Sequence, residues 1–508
     1  MTETTETDAK TEQARPDHEV VIVGAGFAGI GAGIALKGAG IHDFVLLERA
    51  GDIGGTWRDN TYPGLSVDIP SPTYSFAFEP RPTWSRLYAK GPEIKDYADH
   101  CVRKYGIMPH VRLGTTVVAA RFDEGADLWR LELAGGGTVT GRYLLSCQGA
   151  LTTPSHPEID GLADFAGHTV HTARWDHDHD LTGRRVAVIG TGATALQVIP
   201  EIAGRVAHLD VYQRTPIWVY PKIDPRLPRG VQELFRRVPA TQKATRFVTT
   251  TAVEIIVTGV VHHRRVQPLV KAVERRCLRH LKRQVKDPET RERLTPRYGF
   301  GCKRPSFSND YWRTFNRANV DLVTDRIDRI TETGVRTVDG REREIDTLIL
   351  ATGFKVFDIS FPIVGREGVE LTAFWKQYRR QSYEGAAVPG FPNLFLVPGP
   401  YGNIGLSWFQ MIDAQIRHAL RVIGEARSRG VTRAEVSRQA HDRYMSWVER
   451  RMPRTVFLNG DCATANSYYF DEHGDAPWQR PSSVVAARRR SRSFPLDDYD
   501  YSTRVSAG

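Results

Sequence analysis

Residues 19–48 read EVVIVGAGFAGIGAGIALKGAGIHDFVLLE, and this stretch decides the fold class. The β-branched run Glu19 to Val23 predicts a strand. Gly24-Ala25-Gly26-Phe27-Ala28-Gly29 predicts a tight turn into a helix, carried to Lys37 by Ala, Gly and Leu at helical spacing. A second apolar run, Phe44 to Leu47, ends in Glu48. Strand, glycine turn, helix, strand and acid is the order of a dinucleotide-binding βαβ unit. Of Gly24, Gly26 and Gly29, one permits the turn, one admits a pyrophosphate against backbone, and the third lets helix pack on strand. The helix N-terminus adds amide donors for the phosphates.

The same unit recurs. Arg185 to Ile189 predicts a strand, Gly190-Thr191-Gly192-Ala193-Thr194-Ala195 the turn, Leu196 to Ile202 a helix, and Leu209 to Tyr212 the next strand. The distance from first glycine to end-of-strand residue is the same in both: 24 to 48 and 190 to 214. The chemistry of those last residues differs. Glu48 accepts hydrogen bonds from both ribose hydroxyls and repels a 2′-phosphate, whereas Arg214, followed by Thr215, neutralises one. The first unit is therefore read as the FAD site and the second as the NADPH site. The competing reading of Arg214 is a surface residue after a strand. Gly54-Gly55-Thr56-Trp57 follows the Glu48 strand and lets backbone and an indole pack near a flavin, so Gly55, Thr56 and Trp57 join the FAD candidates. Gln197, one turn into the second helix, joins the NADPH set with Gly190 to Thr194.

Two dinucleotide units in one chain imply an electron relay. A disulfide reductase has this plan but needs a close cysteine pair beside the flavin. The five cysteines (Cys101, Cys147, Cys277, Cys302 and Cys462) are far apart. A simple oxidase does not need the second unit. An NADPH-driven monooxygenase remains.

Phe165-Ala-Gly167-His-Thr-Val-His171-Thr-Ala-Arg-Trp175-Asp176 resembles the fingerprint of type I Baeyer–Villiger monooxygenases, and it lies between the two glycine turns as in that family. Flavin-containing monooxygenases, which oxidise soft N and S atoms, usually end the motif differently. Trp175-Asp176 favours the Baeyer–Villiger branch, with an N- or S-monooxygenase or a non-oxygenating NADPH flavoprotein as alternatives. Phe165 and Trp175 can equally be core aromatics of a linker. The resemblance covers roughly residues 17–478 and implies conversion of a ketone to an ester or lactone with NADPH and dioxygen, through a C4a-peroxyflavin. Gly301-Cys302-Lys303-Arg304-Pro305 resembles the segment whose arginine sits over the flavin. Arg304 is then the catalytic arginine and Lys303 a second contact to the 2′-phosphate. Tyr62-Pro63-Gly64 and Val67-Asp68-Ile69 resemble the segment that supplies an active-site aspartate, Asp68, and a cofactor contact at Tyr62. Asp68 is expected to hold Arg304, though a turn cap before Pro70 explains it too. Many members carry Ser-Trp-Tyr where this chain has Ser467-Tyr468-Tyr469, so the substrate end of the pocket departs from the pattern.

The 508 residues, 41% hydrophobic and 25% charged, match a folded globular chain and exclude fibres and wholesale disorder. No metal site is expected. Odd, dispersed cysteines predict free thiols in a reducing compartment, and Met1 to Pro16 lacks a secretory h-region, so a cytoplasmic location is expected. No uninterrupted apolar stretch reaches the length of a spanning helix. Ala252 to Val261 comes nearest and contains Glu254. The net charge of +10 gathers in Arg264 to Arg293 and in Arg488, Arg489, Arg490 and Arg492, with no nucleic-acid-binding module around them. The expected architecture is α/β, with two Rossmann-like dinucleotide-binding domains and a helical insertion. FAD binds residues 17–150 and 354–508, NADPH binds 151–224 and 299–353, and 225–298 is the insertion. Residues 1–16 and the tail after about 482 are expected to be flexible. Gly402 to Met411 is expected to be a loop entering a helix near the flavin.

Overall fold

A computed structural model describes residues 15–403 and 407–503. The expected disorder of residues 1–14 lies outside the described residues, as does the middle of the 402–411 loop. The fold is α/β with two Rossmann-like units. The strand His18–Val23 lies inside an eight-stranded sheet, parallel to Phe44–Leu47 on one side and to Thr138–Ser146 on the other. Its last four residues are buried, as both-sided coverage of a parallel strand requires. Val20 and Ile22 face the helices Phe27–Gly38 and Trp408–Arg429, while Val21 and Val23 join a cluster with Trp129 and Phe391 on the opposite face. Thr138–Ser146 shares its outer edge between two partners. Its first half pairs antiparallel with Leu128–Leu133 and its second half pairs parallel with Leu394–Leu396, so the C-terminal third of the chain completes the sheet.

A second sheet has five parallel strands in the order Val320–Val323, His208–Tyr212, Arg185–Ile189, Thr347–Leu350 and His168–His171. Between Val219–Tyr220 and Ser306–Phe307, which pair with each other, the chain runs out into four helices: Arg229–Arg237, Pro239–Val261, Gln267–Gln284 and Pro288–Arg293. The excursion thus leaves and returns at neighbouring points on the framework.

Two expectations are corrected. The tail beyond residue 482 is built into the fold up to residue 503. Ser483 caps the helix Val484–Ser493, and Tyr499–Ser502 pairs antiparallel with Arg433–Val436. One of the arginines that read as solvated is structural: Arg490 joins Arg480 on buried Glu384. Second, the cysteines are not all free. Cys302 and Cys462, 160 residues apart in sequence, are joined at 1.97 Å, leaving Cys101, Cys147 and Cys277 as buried thiols. Pro239–Val261 is a helix of 23 residues that is long and apolar enough by composition to cross a bilayer, though Lys243, Arg246 and Glu254 interrupt it, so no uninterrupted apolar stretch of that length is present.

Candidate active site

The two glycine turns have almost the same backbone. Gly24 and Gly190 sit at φ +103° and +119°, and the helix-entry residues Gly26 and Gly192 share φ −76° and ψ −173°. The reason is local crowding. A Cβ on Gly24 would lie 2.6 Å from the Cys147 carbonyl oxygen, and one on Gly190 would lie 2.4 Å from that of Ala351. A Cβ on Gly29 would fall 1.9 Å from the Gly24 oxygen, so helix and strand touch there. Gly26 faces Gly55 backbone to backbone. These residues open onto a cleft lined also by Glu48, Thr56, Trp57, Tyr74, Cys147, Gln148 and Trp408. Glu48 is buried, and its carboxylate accepts from Ala25 N at 2.9 Å, from Ala50 N at 3.0 Å and from Arg58 Nη1 at 3.1 Å. Arg58 is therefore a second charged group at the ribose end of the cleft. The indole of Trp57 donates to Tyr74 Oη at 3.1 Å, which fixes its plane.

In the second unit, Thr191 Oγ1 donates to the Thr215 carbonyl at 2.9 Å, tying the turn to the Arg214 strand end. Arg214 is exposed and makes no ion pair among the described residues. Lys303 lies within reach of its charge. Burial first, then repulsion from Arg214, pushes the Lys303 ammonium down to about 8. Two like charges held together without an anion form a receptor for one. Tyr62 and Gln197 do something else. Tyr62 Oη donates to Gln197 Oε1 at 3.1 Å, and Gln197 also bonds both the N and O of Ser66. Gly64 lets this contact close, since a Cβ there would stand 2.5 Å from the Gln197 oxygen. Beyond the cofactor contact expected of them, these two residues bond each other and latch the Tyr62–Asp68 segment to the second glycine helix.

Arg304 and Asp68, 236 residues apart, meet in a two-point ion pair: Nε donates to Oδ2 at 2.8 Å and Nη2 to Oδ1 at 2.9 Å. Burial opposes the charge on Asp68. The attraction and hydrogen bonds of Arg304, helped by Lys222, outweigh it and hold the carboxyl below the usual range. Burial likewise opposes the Arg304 charge, and Asp68 more than offsets it. The pair stays ionised throughout the physiological range. Tyr468 and Tyr469, their rings 4.8 Å apart, lie within the field of the guanidinium. The Cys302–Cys462 link and the bond from Gly299 N to Gly460 O at 2.7 Å staple the Arg304 loop to the segment that carries these tyrosines. Asn466 Nδ2 of that segment donates to Thr215 Oγ1 at 2.7 Å, so one stretch of chain spans the Arg214 and Arg304 regions.

Known proteins resemble this chain over nearly its whole length. Residues 21–267 match a family described as pyridine nucleotide-disulphide oxidoreductase, the stretch that holds both glycine turns. A Baeyer–Villiger monooxygenase of Pseudomonas aeruginosa is 38% identical over 489 residues, 96% of this chain and 92% of its own length. Another from Streptomyces coelicolor is 37% identical, covering 97% and 94%. The chain belongs to the Baeyer–Villiger monooxygenase family. Cyclohexanone monooxygenase from Rhodococcus sp. Phi1 bound to NADP+ superposes with a TM-score of 0.85 at 26% identity, over 96% of this chain and 100% of that one. A steroid monooxygenase bound to NADP gives 0.83 at 27%, over 96% and 100%.

In this Baeyer–Villiger monooxygenase the fingerprint runs through the edge strand of the second sheet, His168–His171: His171 ends it, Phe165 and Gly167 precede it, Trp175 and Asp176 follow the Thr172–Arg174 turn, and none of the five is hydrogen-bonded or ion-paired to Arg304 or Asp68. Phe165 packs on the sheet core, and Gly167 is required because a Cβ would strike the Phe165 ring at 2.4 Å and the Asp346 oxygen at 2.7 Å. Trp175 packs on the opposite face, and Asp176 holds His168 at 3.3 Å and the Asp178 amide at 3.0 Å. His171 Nδ1 accepts from Ala173 N at 3.1 Å, which places the ring proton on Nε2, 3.3 Å from Thr352 Oγ1. Thr352 in turn donates to the Ser155 carbonyl at 2.5 Å. Burial, with the neighbouring His156 and Arg174, pushes His171 down to about 4, so it is neutral at working pH. Its bonds join residues 155 and 352, where the chain crosses between the two sheets in each direction. Lys222 escaped the sequence reading. Its Nζ bonds Ser66 Oγ at 3.2 Å, lies 4.9 Å above the Tyr88 ring, and adds positive potential at Asp68. A lone lysine after a Pro carries no signal in sequence, whereas Tyr74 and Trp408 were aromatics without a motif.

Proposed function

We propose that this chain converts a small-molecule ketone to an ester or lactone at the Arg304–Asp68 pair, using FAD, NADPH and dioxygen. The observation that carries the reading is the forked pair itself. Asp68 occupies Nε and one N–H of Nη2, and the other N–H groups of the guanidinium, which the Tyr469 hydroxyl also approaches, are the ones that can reach a reacting oxygen. A guanidinium fixed in this way stays charged at every working pH and can stabilise negative charge as it develops on the ketone oxygen. We divide the chain as residues 17–150 with 354–508 for FAD, 151–224 with 299–353 for NADPH, and 225–298 as the helical insertion.

The first cleft fits FAD. Backbone crowding leaves no room for a Cβ at Gly24 or Gly29, and the Gly26–Gly55 contact keeps side chains away from the amides of the helix entry. Glu48 holds the ribose end while Arg58 balances its charge. FAD held there would supply hydride acceptance from NADPH and the activation of dioxygen for insertion beside the carbonyl. Arg214 and Lys303 hold the 2′-phosphate, and the Tyr62–Gln197 latch keeps the Asp68 segment in register with the NADPH helix. Tyr468 and Tyr469 cover Arg304 and limit water at the reacting carbon. The reading places the enzyme in the cytoplasm, where NADPH is regenerated. The test is turnover of a ketone panel by purified enzyme with FAD and NADPH, with products identified by gas chromatography and mass spectrometry. NADPH-dependent ester or lactone is expected. Sulfoxides or N-oxides from soft nucleophiles, with every ketone returned unchanged, would overturn the reading.

A further inference from the structure

The helix Pro239–Val261 is amphipathic in an unusual sense. One face is bound into the protein: Val253 and Val257 are buried, Thr249 Oγ1 meets Thr73 Oγ1 at 2.8 Å, and Arg246 donates to the carbonyls of Pro72 and Ser75 at 2.6 and 3.0 Å. The other face is both apolar and open. Ala240, Ala244, Phe247, Val248, Thr251 and Ile255 follow one another at helical spacing and are all exposed, Phe247 to 72% and Val248 to 64%. That strip is about 22 Å long. Val485, 71% exposed, extends it from the neighbouring helix, whose Val484 amide donates to Glu254.

Basic residues frame the strip. Apart from Arg246 on the inner face, seven Arg and Lys stand against two Glu between Arg229 and Lys271. Both acids are engaged, Glu233 by Arg236 and Arg237, and Glu254 by the Val484 amide. Arg264 and Arg265 stand exposed beyond one end, and Arg489 and Arg492 are exposed one and two turns on from Val485. From these observations we infer that this face docks on an anionic lipid bilayer, with the helix lying in the plane of the headgroups. Convex apolar side chains ringed by arginine suit an interface of acyl chains under anionic headgroups. A second copy is a poor occupant, since a two-fold contact would set one basic rim against the other. Spanning is excluded by the inner face, which would have to abandon its bonds to residues 72–75. That inner face also touches the loops that follow Asp68 and precede Arg304, because Val260 packs on Gly301. The docked face is thus the back of the site. The binding itself does not depend on which reaction the site performs.

The test is co-sedimentation of the holoenzyme with vesicles of phosphatidylcholine plus phosphatidylglycerol, against phosphatidylcholine alone. Binding is expected on the anionic vesicles and should fall with salt. Phe247→Asp combined with Ile255→Asp should weaken it at least tenfold, with flavin content and circular dichroism unchanged. Arg489→Gln with Arg492→Gln, which leaves the strip intact, should weaken it about fivefold per charge at low salt. Absence of binding to anionic vesicles at low salt would overturn the proposal, as would wild-type binding by the Phe247/Ile255 variant. A dimer in sedimentation velocity that this variant dissolves, with no vesicle binding by the wild type, would reassign the face to self-association.

Discussion

Removing the carboxylate partner of Arg304 tests whether the pair works as one device. In Asp68→Ala the guanidinium loses two charge-assisted bonds, at 2.8 and 2.9 Å. Each such bond contributes about 1.5–3 kcal/mol. The arginine keeps its charge but not its direction, and Lys222 loses the attraction of Asp68 while keeping that of Asp224. A misplacement of about 1 Å at a reacting centre costs roughly 10²-fold in rate. Arg304→Ala removes the charge itself, and loss of a placed donor of this kind costs about 10²–10³-fold. Groups that act as a unit are strongly non-additive, so the double variant should be no worse than Arg304→Ala alone. The assay is a three-variant cycle measuring ester per NADPH consumed, with hydrogen peroxide quantified alongside and flavin reduction followed by stopped flow. Reduction should persist in all three, with peroxide replacing ester. Multiplicative losses, approaching about 10⁵-fold in the double variant from the two single-variant figures, would refute the claim that Asp68 acts through Arg304. Unimpaired ester formation in Asp68→Ala would do the same.

Arg214→Ala should raise the NADPH KM about ten- to hundredfold, from the loss of one charged hydrogen-bonded contact, and leave the NADH KM nearly unchanged. Lys303, held down to about 8, carries its full charge below that pH and loses it above. Binding a 2′-phosphate raises its pKa, so affinity is complete below pH 8 and declines as pH rises through the bound-state value. The NADPH KM should therefore climb between pH 8 and 10 in the wild type and stay flatter in Lys303→Arg, while a pH-independent KM in the wild type would exclude Lys303 from the site. Gly29→Ala should purify without flavin, because its methyl group would overlap the Gly24 carbonyl at 1.9 Å. Full yellow occupancy in that variant would mean the turn does not hold the cofactor.

The parts of this fold visible in the sequence are those written in local spacing. Gly24 and Gly190 announce themselves because each must adopt positive φ before a helix, and the interval to Glu48 and to Arg214 is the length of one helix and its return. Pairings that only the tertiary fold creates were invisible. Nothing local marks Cys302 and Cys462 as partners, and their separation read as two unrelated thiols. The arginine run after residue 482 looked like a solvated tail because its partner, Glu384, lies about a hundred residues upstream and is buried. Tyr62 and Gln197 are a different case. Which group a side chain bonds depends on the opposing segment, and the bond between these two, 135 residues apart, has no local mark in the sequence. Arg304 and Asp68 were found through a family resemblance. The forked geometry that gives the pair its chemistry came only with the coordinates.

A single-turnover reaction under ¹⁸O-labelled dioxygen, with pre-reduced enzyme and a ketone it accepts, bears most directly on the claim that this site inserts oxygen beside a carbonyl. The account predicts one labelled atom in the bridging ester oxygen, none in the carbonyl oxygen, and near-stoichiometric ester per reduced flavin. Unlabelled ester, or label recovered only as hydrogen peroxide, a sulfoxide or an N-oxide, would contradict it.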